Sequence, residues 1–198
     1  KNGLIHIQDE ASQLVEPSIN PKNGDMILDA CAGMGTKTTH IRERSKDIHM
    51  IAMDNEIKRL KHIGENTNRI LGDALHPPFN KESFDIILLD APCSSLGIIR
   101  KHPEIKWRRN EKDISDFGNY QLNLLDSLWD NLKPGGHLVY SVCSFEPEET
   151  FDVIEMFSKR RPFVLEKPLP LLFNSEYFLS VPFETGMDGF FIAKLKKI

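Results

Sequence analysis

Two cysteines lie where a thiol could take part in covalent chemistry. Cys93 is in the run Asp-Ala-Pro-Cys-Ser-Ser at residues 90–95, and Cys143 is in Tyr-Ser-Val-Cys-Ser at residues 140–144. Each run follows a short apolar stretch, residues 86–89 and 137–139, that is typical of a buried strand. In open α/β sheets, ligands bind outside the carboxyl ends of the strands. The sequence therefore predicts two thiols at one ligand-binding edge, which indicates covalent chemistry.

A glycine-containing turn at residues 32–36 joins a predicted strand to a predicted helix and is a candidate cofactor loop. A P-loop requires glycine directly before Lys-Thr, where this chain has Thr36, and a dinucleotide fingerprint requires a third glycine where it has Thr38. The loop therefore favours an adenosine-type cofactor without a pyrophosphate, namely S-adenosylmethionine. The residues expected at this site are Cys31, Ala32, Gly33, Met34, Gly35, Thr36 and Lys37.

Acidic residues end the first four predicted strands, at Asp29, Asp54, Asp73 and Asp90. An acid at one strand end is often a helix cap, but four in succession favour a binding site. Asp54 lies 19 residues beyond Gly35, and one carboxylate can accept hydrogen bonds from both hydroxyls of a ribose. Asp73 is the candidate for contact with an adenine amino group.

The elements that position these residues alternate between strand and helix, which predicts a doubly wound α/β fold with a mostly parallel sheet. A tight turn at residues 186–189 predicts a final hairpin with one antiparallel strand. We expect one domain over residues 1–198, with a leader at 1–20 that contains a helix at 9–15. Seven strands are predicted at 26–31, 49–54, 69–73, 84–90, 137–142, 177–181 and 189–195, and helices at 37–44, 56–65, 113–132 and 147–160.

The composition and the net charge of the chain argue against some classes of protein. No apolar run approaches the roughly 18 residues of a membrane span, and the three cysteines suggest a reducing compartment, hence the cytoplasm. The net charge of −4 argues against a dedicated nucleic-acid-binding domain. A local basic stripe nevertheless runs through residues 100–102 and 106–109, as a solvated surface or an RNA contact. Trp107 within it either stacks on a base or anchors its loop. We expect a monomer without a metal site.

Taken together, these motifs resemble the Sun (Fmu) family of RNA cytosine-5 methyltransferases. The resemblance covers nearly the whole chain, through residues 8–12, 29–38, 90–93, 100–107, 140–149 and 188–191. It implies a Rossmann-like methyltransferase fold with a seven-stranded sheet, S-adenosylmethionine as cofactor and RNA as partner. Ribosomal RNA is the expected substrate and transfer RNA the alternative. The family's loop usually reads Ala-Pro-Gly-Gly-Lys, where this chain has Gly-Met-Gly-Thr-Lys at residues 33–37.

The resemblance also implies roles for individual residues. Cys143 would be the nucleophile that adds to the cytosine ring, and Cys93 would assist breakdown of the adduct. Lys37 and Asp90 would contact the base or the methionine end of the cofactor. The family carries RNA-binding segments upstream, which we expect to be absent from this chain because it begins at Lys1. Two other classes stay open at this point: a nicotinamide-dependent oxidoreductase and a non-catalytic RNA-binding module.

Overall fold

Eight strands form a single sheet in the computed structural model, which describes residues 8–198. Their order across the sheet is β3-β2-β1-β4-β5-β8-β6, and β7 also pairs with β8. The strands are β1 (Met26–Asp29), β2 (His49–Asp54), β3 (Asn68–Leu71), β4 (Phe84–Asp90), β5 (Leu132–Val142), β6 (Phe163–Glu166), β7 (Tyr177–Ser180) and β8 (Phe190–Lys197).

Strand directions confirm the predicted fold class. Strands β1 to β5 pair in parallel, whereas β5, β6 and β7 each pair antiparallel with β8. β8 is therefore the one strand of the described sheet that runs against the others. β7 and β8 form the predicted hairpin, with a short helix and Gly186 between them. The sheet has one strand more than predicted, because the four residues of β6 were not recognised.

The helices cover both faces of the sheet, as the continuous apolar sequence of β4 requires. Ile87 and Leu89 pack on one face with the helices after β4, and Ile86 and Leu88 pack on the other with the leader helices. The helices are α1 (Glu10–Gln13), α2 (Val15–Ile19), α3 (Thr36–Arg44), α4 (Ile57–Leu60), α5 (Ile105–Arg108), α6 (Glu111–Trp129), α7 (Phe151–Ser158) and α8 (Pro182–Thr185).

Several element boundaries differ from the predictions for identifiable reasons. The predicted helix at 56–65 shortens to α4, after which the chain turns so that Ile63 packs beneath Gly35. The predicted helix at 147–160 divides into a 3₁₀ turn, Pro147–Glu149, and α7, because Thr150 leaves helical geometry with φ −122° and ψ −97°. The leader forms α1 and α2 instead of one helix, and its first seven residues lie outside the described part.

Helix α6 is the longest helix in the described part of the chain. It begins with a capping box in which Asn110 accepts from the Asp113 amide and Asp113 accepts from the Asn110 amide. It ends at Trp129, so that β5 begins at Leu132 and not at residue 137 as predicted. Among residues 8–198 we find no helix with the length and apolar character needed to cross a membrane.

Candidate functional site

The structure brings the two motif cysteines into contact. Strands β4 and β5 are parallel neighbours in which Asp90 pairs with Ser141, so their carboxyl ends lie side by side. The sulfur of Cys93 lies 2.9 Å from the sulfur of Cys143, and both are free cysteines. Both residues line a cavity of about 390 Å³ at the carboxyl edge of the sheet. The predicted edge is therefore where the structure places both thiols.

The environment makes the two thiols unequal. The hydrogen bond with Cys93 lowers the pKa of Cys143 below its ordinary value, although burial opposes this. The same hydrogen bond, together with burial, raises the pKa of Cys93 well above the ordinary range. The pair therefore loses its first proton at Cys143, which leaves Cys93 as the donor. Because the thiolate is the reactive form of cysteine, Cys143 is the more reactive of the two thiols.

The segment that follows Cys93 makes a backbone hydrogen bond to Cys143. The Gly97 amide donates to the Cys143 carbonyl at 3.0 Å, and the Gly189 amide donates to the Gly97 carbonyl at 2.8 Å. A side chain at Gly97 would place its first carbon 2.0 Å from the Gly189 oxygen, so only glycine permits this approach. The hydroxyl of Ser95 lies 3.7 Å from the Cys143 sulfur. Three distant segments thus meet behind the thiol pair.

Lys37 forms an ion pair with Asp90, which lines the cavity. The Lys37 amine donates to Asp90 Oδ2 at 2.5 Å, and the Ser141 hydroxyl donates to Asp90 Oδ1 at 2.8 Å. Burial opposes a charge on Lys37, but the carboxylate of Asp90 outweighs it and raises the pKa of the amine. Lys37 is therefore held as a cation beside the thiol pair, where it can stabilise negative charge.

At the other end of the cavity, Asp54 organises the glycine turn. Its Oδ2 accepts from the Gly33 amide at 2.9 Å, and its Oδ1 accepts from the Glu56 amide at 2.9 Å. Gly35 precedes α3 with φ +82°, and a side chain there would meet Ile63 at 2.5 Å. Asp54 therefore shapes the loop as well as lining the cavity, and each carboxylate oxygen still has a free lone pair for a ligand.

Five of the predicted cofactor residues line the cavity together with the thiols: Cys31, Gly33, Asp54, Asp73 and Asp90. Burial raises the pKa of Cys31 far above its ordinary value, so this third cysteine stays a thiol. The hydrogen bond from the Leu75 amide lowers the pKa of Asp73, which keeps it a carboxylate. Ala32, Met34, Gly35, Thr36 and Lys37 belong to the turn and the start of α3 but not to the cavity lining.

Sequence reasoning missed several lining residues as members of the site. Asn55 and Arg59 follow Asp54, while Phe117 and Tyr120 lie one turn apart on α6. Asn55 could have been predicted as a site residue, because it directly follows the acid at the end of β2. The spacing of Phe117 and Tyr120 is that of a helix face packed on the core, so it gave no indication of a cavity.

The predicted basic stripe has one part whose charges are paired within the molecule and another part, around Trp107, that is exposed to solvent. Lys101 donates to Asp9 at 2.6 Å and to Asp188 at 2.7 Å, and Arg100 donates to Asp188 at 3.0 Å. This part of the stripe is therefore neutralised within the molecule. Trp107, by contrast, is 83% exposed and does not anchor its loop.

Asp29, at the end of β1, is fully buried beneath the cofactor loop. Its Oδ2 accepts from the Thr38 hydroxyl at 2.6 Å, while its Oδ1 has no hydrogen-bond partner among residues 8–198. Burial raises the pKa of this carboxyl to about 7. The folded chain thus keeps a proton on Asp29 at pH values where the unfolded chain has released it.

We expect the free energy of unfolding to fall as pH rises from 5 to 7, because only folded Asp29 still binds a proton there. One such proton corresponds to about 1.4 kcal/mol per pH unit, and because folded Asp29 has already lost half of its proton at pH 7, the total over this interval is about 2 kcal/mol. Urea unfolding of the wild type and of Asp29→Asn at several pH values measures the effect. In Asp29→Asn, the free energy of unfolding should no longer show this decrease between pH 5 and 7. Equal slopes in both proteins would contradict the assignment.

The cavity has the features required by a nucleoside cofactor with a methionine tail. It joins the glycine turn and two strand-end carboxylates, Asp54 and Asp73, to the thiol pair. A carboxylate at the end of the second strand suits a ribose, and the exposed edge beside Asp73 suits a base. The lining residues therefore fit S-adenosylmethionine.

Residues 17–196 match the family described as 16S rRNA methyltransferase RsmB/F. The chain belongs to this family. It is 42% identical to ribosomal RNA small subunit methyltransferase B of Pasteurella multocida, covering 99% of this chain and 48% of that protein. The corresponding protein of Vibrio cholerae is also 42% identical, over 98% of this chain and 46% of its own length. The chain thus spans about half the length of these relatives.

Solved structures agree with the family. NSun6 from Pyrococcus horikoshii, determined with the S-adenosylmethionine analogue SFG, superposes with a TM-score of 0.86 at 29% identity, covering 97% of this chain and 53% of that one. A methyltransferase homologue from the same organism gives 0.79 at 30% identity, covering 99% and 69%. These comparisons confirm the predicted family, the methyltransferase class and S-adenosylmethionine as cofactor. The monomeric state and the cytoplasmic location stay predictions.

Proposed function

We propose that this RsmB/F-family domain methylates carbon 5 of a cytosine in small-subunit ribosomal RNA through a covalent bond to Cys143. The observation that carries the proposal is the contact between the Cys93 and Cys143 sulfurs at 2.9 Å, in the cavity that also contains Gly33 and Asp54. The relatives named ribosomal RNA small subunit methyltransferase B support ribosomal RNA as the substrate.

Carbon 5 of cytosine is a poor nucleophile, so the protein has to activate it. Addition of the Cys143 thiolate to carbon 6 breaks the 5,6 double bond and places electron density on carbon 5. S-adenosylmethionine, when bound, supplies the electrophilic methyl group. Lys37 lies beside the thiol pair as a buried cation, where it can stabilise the negative charge that spreads over the ring.

Release requires loss of the carbon 5 proton to a base and cleavage of the bond between carbon 6 and the Cys143 sulfur. Cys93 keeps its proton and contacts that sulfur. It can therefore donate a hydrogen bond to the departing thiolate, which makes the thiolate a better leaving group. In this assignment Cys143 forms the adduct and Cys93 helps to break it.

The target base has to leave its stack to reach the cavity, and bases in RNA loops are the easiest to extract. Trp107 is well placed to receive a neighbouring base. It lies two residues from Arg109, which lines the cavity, so the two Cα atoms are within about 8 Å of each other. Lys106, whose amine lies 5.5 Å from the Trp107 ring centre, adds positive charge.

We expect Trp107→Ala to raise the KM for RNA about 5- to 150-fold, because stacking of one base on an aromatic ring contributes about 1–3 kcal/mol. Trp107→Phe should restore most of the affinity, and the cofactor Kd should not change. Leu171→Ala is the matched control, since Leu171 is 97% exposed and lies in a separate groove. Steady-state methylation at varied RNA concentration measures the effect. An unchanged KM in Trp107→Ala would contradict the stacking role.

Transfer of labelled methyl groups from S-adenosylmethionine tests the function itself. The substrates are small-subunit ribosomal RNA and transfer RNA, each prepared without modifications, and the products are located by bisulfite sequencing. Label at carbon 5 of cytosine in the ribosomal RNA is the expected result. Label in the transfer RNA would favour the alternative substrate. Cofactor and RNA binding without transfer would favour a non-catalytic module.

A further inference from the structure

A buried polar cluster lies directly beneath the loop that carries Cys93. Its members are Ser94 in that loop, Gln121 on α6, Tyr140 on β5 and Glu149 in the 3₁₀ turn, and each is 0% exposed. None of the four side chains lines the cavity. The cluster is therefore separate from the residues that can touch RNA or cofactor, although it lies immediately behind one of them.

Glu149 is the acceptor at the centre of this cluster. Its Oε1 accepts from the Ser94 amide at 2.8 Å and from the Gln121 side chain at 3.0 Å, and its Oε2 accepts from the Ser94 hydroxyl at 2.5 Å. These donors are all neutral, so the carboxylate is buried at a considerable desolvation penalty.

The hydrogen bonds fix the backbone on both sides of Cys93. Before Cys93, the Pro92 carbonyl accepts from the Gln121 side chain at 3.0 Å. After it, the Ser94 amide and hydroxyl both donate to Glu149. The Ser94 carbonyl in turn accepts from Arg109 at 3.0 Å. Cys93 thus has little freedom to move away from its partner sulfur.

The same cluster also holds the strand that carries Cys143. The Tyr140 hydroxyl lies 2.9 Å from Gln121 Oε1 and 2.6 Å from the Glu149 carbonyl oxygen. Tyr140 lies on β5 three residues before Cys143. Gln121 and Glu149 therefore join the two strand ends and set the separation of the two sulfurs.

We propose that Glu149 is a positioning residue that holds the Cys93 thiol against the Cys143 sulfur. The proposal rests on the proposed function, because it assigns Glu149 to the release of the methylated base. Glu149 touches neither substrate nor cofactor. It acts through Ser94 and the backbone of Cys93.

Glu149→Gln tests this role. The amide group that replaces one carboxylate oxygen cannot accept a hydrogen bond from Ser94 and can at best donate to its hydroxyl, so a charge-assisted hydrogen bond to the loop is lost or replaced by a weaker neutral one. We expect multiple-turnover methylation to fall at least about 10-fold while one round of transfer persists. A protein–RNA adduct stable to SDS should accumulate. Ser94→Ala, which keeps the backbone amide, should show the same change to a smaller degree.

A second measurement does not depend on RNA. Because the hydrogen bond from Cys93 lowers the pKa of Cys143, displacement of Cys93 should shift the pH profile of Cys143 alkylation by iodoacetamide to higher pH. The shift in Glu149→Gln should approach that in Cys93→Ala. An unchanged alkylation profile in Glu149→Gln would overturn the proposal, whatever happens with RNA. A shifted profile in a protein that forms no adduct with RNA would instead count against the proposed function alone.

Asn131→Ala is the matched control for a purely structural effect. Asn131 is buried and donates to two backbone carbonyls, those of Phe79 and Asn80, near the opposite end of β5. Its loss should lower the Tm without adduct accumulation and without a change in the alkylation profile. If Asn131→Ala accumulated adduct as Glu149→Gln does, general loosening of the fold would explain the result, and the positioning role would be wrong.

Discussion

Cys143→Ala is expected to abolish methyl transfer, with a rate loss of about 10⁴-fold or more, as is usual for removal of an essential nucleophile. The physical reason is that no other side chain in the described site combines a lowered thiol pKa with a position in the cavity. Without addition to carbon 6, carbon 5 stays too electron-poor to take a methyl group. Single-turnover transfer of labelled methyl to ribosomal RNA measures the loss.

Cofactor binding separates this chemical effect from misfolding. Calorimetric titration with S-adenosylmethionine should give the same Kd for Cys143→Ala as for the wild type, because the glycine turn and Asp54 lie at the other end of the cavity. A variant that binds the cofactor normally and still methylates RNA at a rate within 10-fold of wild type would show that the mechanism is wrong.

Cys93→Ala is expected to give the opposite phenotype, in which the adduct forms but persists. Turnover should fall about 10²- to 10³-fold, the usual range for loss of a group that assists proton transfer or departure. The trapped species should appear as a protein band of reduced mobility in SDS gels that disappears after RNase treatment. Substitution of both cysteines should give no such band.

The two variants together decide which thiol attacks. If Cys93 were the nucleophile, the phenotypes would be exchanged. Adduct would then accumulate in Cys143→Ala and be absent in Cys93→Ala. The structure favours the first assignment, since the shared hydrogen bond lowers the pKa of Cys143 and raises that of Cys93.

The sequence was sufficient to place the thiols because the carboxyl ends of neighbouring parallel strands must lie together. Two cysteines just beyond the apolar runs of β4 and β5 could reach only one edge of the sheet. The glycine turn and the acid at the end of β2 were recognisable for the same reason. These predictions depend only on the direction of the chain and on the local pattern of apolar, glycine and acidic residues, both of which can be read from the sequence.

The supporting contacts could not be predicted, since they depend on partners far apart in the chain. The predicted helix at 147–160 gave no sign that its first two acids differ, yet the structure buries Glu149 and exposes Glu148. The partner of Glu149, Ser94, lies 55 residues away. Arg100 and Lys101 looked like a free basic stripe because their partners lie about 90 residues distant. Strand β6 was not recognised because its place in the sheet depends on pairing with β8, which lies later in the chain and which the local sequence does not show.

The ion cluster of Asp9, Arg100, Lys101 and Asp188 has a consequence for handling the protein. Asp9, near the start of the described chain, and Asp188, near its end, both bind Lys101. Lys101 belongs to the segment in which the Gly97 amide donates to the Cys143 carbonyl. A fusion partner or a trimmed boundary that displaces Asp9 would therefore disturb the reaction centre from a distance. Boundaries for recombinant versions should leave residues 9 and 188 both in place, so that the hydrogen bond from Gly97 to Cys143 is kept.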